Sequence, residues 1–179
     1  MDSLFSRYAS ALFSIAVEEG KIKDYRDEIK MLRKVIIENN DLLHLLSSCF
    51  ISNEEKENII DKVFVNQNIN IVNFIKVINS NKRINYIIKI FDEFIKTCNE
   101  KLNVKEGIIY STTELTESQI TKLEKALSQR LNSQVELTNS IDERLIGGVK
   151  IVIEDKVFDG SVKNKLEKLK QSLISGGNC

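Results

Sequence analysis

Residues 141–173, IDERLIGGVKIVIEDKVFDGSVKNKLEKLKQSL, form the stretch that decides the fold. The pair Gly147-Gly148 predicts a loop, because glycine reaches backbone angles that other residues avoid. In residues 149–153 the first, third and fifth side chains are apolar and share one face, which is typical of a half-buried strand. Residues 154–155 fit a hairpin corner, and residues 156–158 return as a second strand.

A closing helix follows this hairpin. Asp159-Gly160 predicts a turn, and the Ser161 hydroxyl is placed to accept a backbone N–H of the first helical turn. The helix carries an apolar stripe at helical spacing and lysines on the opposite face, namely Val162, Leu166, Leu169 and Leu173, and Lys163, Lys165, Lys168 and Lys170. A solvated face is sufficient to explain the lysines.

The distribution of helix breakers places a boundary near residue 105. The chain has no proline, and no glycine lies between Gly20 and Gly107. A long span without either residue favours helices, whereas the glycine-bearing remainder favours strands and turns. We therefore expect two domains, at residues 1–105 and 106–179.

Hydrophobic spacing predicts about six helices in the first domain. The first helix has an apolar stripe wide enough to contact neighbours on two sides. Gly20 is placed to end that helix in a left-handed cap, and Ser52 with Glu55 forms a capping box for the fourth. The predicted helices cover residues 3–19, 21–39, 41–48, 52–64, 71–78 and 84–102.

In the second domain the spacing of apolar residues is no longer helical throughout. Residues 107–110 look like a strand, and residues 135–138 alternate as a strand. A capping box from Thr116 to Gln119 opens a helix between them. With the hairpin and the closing helix, two helices are available to cover one face of a short sheet. The predicted fold class is α+β, with an N-terminal bundle of about six helices followed by a small C-terminal α/β region.

Composition argues against several classes of function. The 26 basic and 26 acidic residues cancel, whereas a nucleic-acid binder usually has a basic excess, so we expect no nucleic-acid partner. Cys49, Cys98, Cys179 and His44 show no metal-ligand spacing and no nucleophile–base pair. The glycine pair lacks the patterns of phosphate-binding loops. We expect no catalytic residue, no metal site and no cofactor.

The sequence also bears on localisation. No stretch approaches the ~20 apolar residues that span a bilayer. The N-terminus lacks an apolar secretory core and an Arg/Ser-rich transit segment. We therefore expect the protein to stay in the compartment where it is made.

Several runs together resemble one family along nearly the whole chain. The most specific are Asp142 with the run Leu145-Ile146-Gly147-Gly148-Val149, and then Asp159-Gly160-Ser161 before the lysine-rich helix. The opening helix, with Arg7-Tyr8-Ala9, and the region of Asn73-Phe74-Ile75, Asn81 and Arg83 also match. The family is the delta subunit of the bacterial rotary ATP synthase, whose mitochondrial counterpart is the oligomycin-sensitivity-conferring protein.

The resemblance implies a structural role in proton-driven ATP synthesis. Delta subunits belong to the peripheral stalk, the stator that links the catalytic head to the membrane sector. Their helical domain binds the N-terminal segments of alpha subunits in a groove between the first and fifth helices, where Tyr8, Ala11 and Val77 match. Their C-terminal region meets the b subunits. By resemblance the protein lies at the cytoplasmic side of the cell membrane.

Two alternatives stay open from the sequence. Tyr8 and Ala11 could contact a partner or could equally be internal contacts of the bundle, because the apolar stripe of the first helix is wide. Periodicity alone does not choose the partner of a helical protein, so a helical scaffold or adaptor of another multisubunit complex is the competing hypothesis.

Overall fold

The computed structural model describes residues 4–175, with side chains described through residue 171. The chain divides into two compact units, Met1–Leu102 and Asn103–Cys179. Some predictions fall outside the described residues, namely those for residue 3 of the first helix, for the Leu173 side chain and for Cys179.

The first unit confirms the predicted bundle of about six helices. The last predicted helix differs at its start, because residues 84–86 form a 3-10 turn in which Tyr86 N–H donates to Arg83 O. The helices are α1 (Leu4–Glu18), α2 (Ile22–Glu38), α3 (Asn40–Ser47), α4 (Asn53–Val63), α5 (Ile69–Ser80) and α6 (Ile87–Leu102).

Helix α6 lies at the centre of the bundle, where it packs against α1 and α2. Phe91 and Cys98, which are seven residues apart, are buried on one side of this helix, and Ile90 and Phe94 are buried as well. The buried surface is therefore wider than one stripe, because α6 has neighbours on more than one side. Burying aromatic and aliphatic side chains in this way supplies the main stabilisation of such a bundle.

Helix α2 places an arginine in this core that the sequence did not distinguish. Arg26 is 2% exposed. Its Nη2 lies 2.7 Å from Asp27 Oδ1, and its Nη1 donates to Asn99 Oδ1 of α6 at 3.1 Å. These bonds satisfy a cation that would be costly to bury alone.

The buried Cys98 gives a chemical probe of this core. Burial raises the pKa of its thiol to about 12, against a smaller opposing effect of Arg26. Because the thiolate is the reactive form, we expect iodoacetamide at pH ~8 to modify the exposed Cys49 and spare Cys98 until the first unit unfolds. Peptide mass spectrometry with and without urea measures this. Equal modification of both thiols in the native protein would contradict the burial.

The elements of the second unit are β1 (Val104–Ser111), α7 (Glu117–Leu131), β2 (Gln134–Ile141), β3 (Val149–Ile153), β4 (Lys156–Asp159) and α8 (Val162–Ser175). Its four strands form one mixed sheet with the order β2-β1-β3-β4. Strands β1 and β2 are parallel, which requires a crossover, and α7 provides it. The predicted hairpin is confirmed, since β3 and β4 pair antiparallel around residues 154–155.

Local capping signals are confirmed in both units. Ser52 Oγ accepts from Glu55 N–H at 3.2 Å while the Glu55 side chain accepts from Ser52 N–H at 3.0 Å. Thr116 and Gln119 form the same reciprocal pair at the start of α7. Gly20 takes φ 66, as the predicted left-handed cap requires. Each signal involves neighbours in sequence, so it does not depend on the tertiary fold.

The inner face of the sheet is covered by α7. This face, with Ile109, Leu137 and Ile151, packs against Leu127 of that helix. The described stripe of α8 stays exposed instead, with Leu166 58% and Leu169 60% accessible. The expectation that both helices are available to cover one face therefore does not hold for the described part of α8, because α7 already occupies the buried face.

Candidate functional site

The candidate site is a groove between α1 and α5 with a volume of about 550 Å³. It contains all three residues that the family resemblance proposed, Tyr8, Ala11 and Val77. The other lining residues are Leu4, Arg7, Leu12, Ile15, Asn70, Asn73, Phe74 and Arg83. Most of the lining side chains are aliphatic or aromatic, and the polar ones include two arginines and two asparagines.

The width of the apolar stripe on α1 explains the groove. Ala9, Leu12 and Ala16 are fully buried in the bundle core. Tyr8, Ala11 and Ile15 are displaced toward α5 and line the groove. Ala11 is exposed and carries only a methyl group, which leaves room for another chain to approach α1 closely.

Tyr8 is held in place from two sides. Arg83 Nη1 donates to Tyr8 Oη at 2.7 Å, and the guanidinium carbon lies 5.4 Å from the centroid of the ring. Phe74 meets the same ring edge-on at a centroid distance of 6.3 Å. Both contacts are favourable for an aromatic ring, so the wall of the groove is preorganised.

The other end of the groove carries a hydrogen-bond network that the sequence did not reveal. Asn70 Nδ2 donates to Glu19 Oε1 at 2.7 Å and to Tyr25 Oη at 2.9 Å. Tyr25 Oη donates in turn to Glu19 Oε2 at 3.0 Å. Desolvation raises the pKa of Tyr25, which favours the protonated phenol that donates in this network. Partners 51 residues apart leave no local sequence signal.

The second unit brings the two most specific family runs into contact. Gly148 takes φ 80, and a Cβ there would lie 2.6 Å from Gly160 O. Gly160 N–H donates to Val149 O at 2.9 Å, and Val162 N–H donates to Gly147 O at 3.0 Å. The two runs therefore join the start of β3 to the start of α8 through a close backbone contact.

Asp142 organises the loop before that contact. Its Oδ1 accepts from Arg144 N–H at 3.1 Å and from Arg144 Nε at 2.8 Å. These hydrogen bonds hold the pKa of Asp142 below its usual value. Leu145 N–H donates to Asp142 O at 3.1 Å, and Asp142 N–H donates to Ser111 O at 2.9 Å, which ties the loop to β1.

The turn before α8 is organised in the same way by Asp159 and Ser161. Ser161 N–H donates to Asp159 Oδ1 at 2.9 Å, and Ser161 Oγ accepts from Asn164 N–H at 3.3 Å. The predicted helix cap is thus confirmed. Among residues 4–175, no group of three His, Cys, Asp or Glu side chains is arranged to hold a metal ion.

Asp159 gives a pH-dependent prediction. Hydrogen bonds from the Ser161 side chain and then its backbone N–H lower the pKa of Asp159. The carboxylate therefore stabilises the fold fully above the ordinary pKa of about 3.9, and this contribution is lost as the pH falls through the lowered folded-state pKa. We expect Asp159→Asn to reduce the urea midpoint of the second unit at pH 7 more than at pH 3. An equal reduction at both pH values would exclude this role of the charge.

Comparisons with known proteins agree with one another. The family model "ATP synthase delta (OSCP) subunit" matches residues 4–173. The ATP synthase subunit delta of Mycoplasma mobile is 42% identical over 168 residues, covering 93% of both chains. That of Bacillus cereus is 32% identical over 169 residues, covering 94% of both. A chain of the Toxoplasma gondii mitochondrial ATP synthase hexamer has the same fold, with TM-score 0.70, 19% identity and 96% and 98% coverage.

Proposed function

The chain belongs to the ATP synthase delta (OSCP) subunit family, and from this premise we propose that it is a non-catalytic connector of the peripheral stalk. Such a stator links the catalytic head to the membrane sector, so that ion flow is coupled to ATP synthesis. Family membership favours this role over the scaffold of another complex. The single observation that carries the proposal for this chain is the preformed groove between α1 and α5.

The groove has the dimensions and lining for one amphipathic helix. From Leu4 to Ile15 it follows eleven steps of α1, which at 1.5 Å per residue is about 16 Å, or three helical turns. The lining combines apolar side chains with a few polar ones, which suits an amphipathic helix that binds in a groove. The proposed occupant is the N-terminal segment of an alpha subunit. Ala11 lets it approach, and Tyr8 and Val77 contact its apolar face.

Helix α8 supports a second contact, with the b subunits. Its described apolar stripe, Val162, Leu166 and Leu169, is exposed and has no covering element in the part of the chain described. Lys163, Lys165 and Lys170 are exposed on the same helix. An exposed apolar stripe beside cations suits an amphipathic partner helix with acidic residues.

This role places the protein beside a membrane. Among the described helices, none is both long and apolar enough to cross a bilayer. The proposed association is peripheral, at the cytoplasmic side of the cell membrane, and depends on the other subunits.

Calorimetric titration of the full chain tests the groove. The ligand is a synthetic peptide with the sequence of the alpha-subunit N-terminus from the same organism. We expect saturable binding, weakened roughly fivefold or more by Tyr8→Ala and by Val77→Ala, since each removes apolar contact area. Protection of Cys98 shows that each variant is folded. Binding that neither change weakens would move the site, and no binding by folded protein would overturn the alpha-subunit contact.

Deleting the protein tests the stator role. We expect membranes without it to lose ATP synthesis driven by ion flow, while the detached head continues to hydrolyse ATP. Restoring the full chain should restore coupling. Coupled synthesis that persists after deletion would overturn the proposal.

A further inference from the structure

We propose that two side chains of α7, Glu124 and Ser128, close the free edge of β2 and keep that strand from pairing with β2 of a second copy of this chain. Both residues are half-buried. The inference does not rest on the proposed function, because it concerns a sheet edge, whereas the proposed contacts use the groove of the first unit and α8.

Strand β2 is an edge that favours pairing. The strand order β2-β1-β3-β4 places β2 at one side of the sheet. β2 has eight residues and pairs with β1 along its whole length, so its free edge is equally long. Its sequence, QVELTNSI, is rich in residues that suit strands. An edge of this kind is a template on which another strand can form backbone hydrogen bonds.

The opposite edge of the sheet, β4, is a poorer template. It has four residues and begins and ends with a charged side chain, Lys156 and Asp159. Short edge strands with charged residues resist pairing without further protection. Protection by another element is therefore needed at β2 more than at β4.

Helix α7 occupies the backbone donors of the β2 edge. Ser128 Oγ accepts from Val135 N–H at 3.0 Å, and Glu124 Oε1 accepts from Leu137 N–H at 2.9 Å. These two N–H groups lie two residues apart on β2, where backbone groups alternate in direction, so both point away from β1. They are the donors that an added strand would use, and the two side chains already satisfy them.

The spacing of the two side chains matches the strand. Four residues separate Glu124 from Ser128, which is about 6 Å along a helix at 1.5 Å per residue. Two residues separate Val135 from Leu137, which is about 6.6 Å along a strand. A pair at positions i and i+4 of α7 can therefore reach successive outward N–H groups of β2, as the acceptors of a neighbouring strand would.

The next residue in this alternation is Asn139, and the chain before α7 is held beside it. Asn139 Oδ1 accepts from Leu115 N–H at 2.8 Å, and its Nδ2 donates to Ser111 Oγ at 2.7 Å. Helix α7 and the residue two positions before it thus bond to β2 from Val135 to Asn139.

A second copy would have to break these bonds before it could pair. Two β2 strands that meet antiparallel about a two-fold axis would join two sheets into one continuous sheet. Both N–H groups would first lose their α7 acceptors. The ionised Glu124 carboxylate, which only accepts hydrogen bonds, would then lie beside the carbonyl groups of the incoming strand, which also only accept.

Removing both acceptors from the full chain tests the proposal. We expect Glu124→Ala with Ser128→Ala to strengthen self-association by roughly tenfold or more in sedimentation velocity, because the freed edge can pair. Hydrogen exchange should locate the contact. At low protein concentration the Val135 and Leu137 amides should exchange faster than in the native chain, and they should regain protection as the concentration rises.

Two matched double variants are the controls. Lys125→Ala with Gln129→Ala changes the adjacent exposed positions of α7 at the same spacing and leaves both bonds in place. Glu124→Gln with Ser128→Thr keeps an acceptor oxygen at each position. Both proteins should associate no more than the native chain.

A charge on the edge supplies a reversal. Thr138 is exposed on β2, so Thr138→Lys adds a cation to each copy at the proposed contact. Lysines on edge strands oppose pairing. Added to the double alanine variant, this change should return self-association to the native level, whereas association through another surface would persist and would overturn the inference.

The remaining outcomes are also decisive. Protected Ile109 and Ile151 amides show that the sheet is folded, since both residues are buried. A folded double alanine variant that associates no more than the native chain would overturn the proposal, as would equal association by Lys125→Ala with Gln129→Ala. If the double alanine variant does not fold, Ser128→Ala alone carries the test. It frees only Val135 N–H, whose protection should then depend on concentration.

Discussion

Gly148→Ala is expected to destabilise the second unit by about 3 kcal/mol, a large effect for one methyl group. Gly148 has φ 80, and a left-handed backbone costs a residue with a Cβ roughly 1–2 kcal/mol. The added carbon would also lie 2.6 Å from Gly160 O and 3.0 Å from Ser161 Cα. Both neighbours are backbone atoms, so the clash is relieved only by separating the start of β3 from the start of α8.

Hydrogen exchange of the amides in β1 and β3 measures this loss, because their protection reports the free energy of opening of the sheet. Gly20→Ala is the matched control. Gly20 has φ 66, but a Cβ added there would meet nothing within 4 Å, so this variant isolates the backbone cost. We expect about 1 kcal/mol there, measured on the first unit. If the two variants lose equal stability, the contact with Gly160 is not responsible.

Val77→Asp is expected to reduce binding of the alpha-subunit peptide by at least tenfold while leaving the bundle folded. Val77 is 49% exposed, so an ionised side chain there stays hydrated in the free protein. In the complex the same carboxylate would be enclosed between α5 and the apolar face of the ligand. Removing an unpaired charge from water costs several kcal/mol, and the complex alone bears that cost.

Val63→Asp provides the control for this variant. Val63 ends α4, is 47% exposed and does not line the groove, so it introduces the same charge at similar exposure. Calorimetry should give wild-type affinity for Val63→Asp, and Cys98 should remain protected in both proteins. Equal weakening by the two variants would point to a general charge effect, and wild-type binding by Val77→Asp would exclude Val77 from the interface.

The positions of Tyr8, Ala11 and Val77 could be predicted from the sequence only through a family resemblance. Tyr8, Ala11 and Val77 came from the family resemblance, since spacing on α1 alone suited internal contacts equally well. The structure places all three on one groove, with Ala11 exposed and Val77 half-exposed. Their role in binding a partner remains a prediction that the titration tests.

The sequence by itself determined the elements whose causes are local. Reciprocal caps such as Ser52 with Glu55, the left-handed Gly20 and the hairpin at residues 154–155 join residues only a few positions apart. Helical and alternating apolar periods then set which elements form and where they end, because these periods follow from the geometry of one helix or strand.

Only the tertiary structure decided which apolar faces meet and which stay open. The pairing of Tyr8 with Arg83, the burial of Arg26 against Asn99 and the parallel pairing of β1 with β2 join residues far apart in the chain. The same kind of apolar stripe is buried on α6 and exposed on the described part of α8, since only the first has neighbours on that side. A periodic pattern indicates that one face of an element is apolar. Packing among all the elements determines whether that face is buried in the core or remains available to a partner.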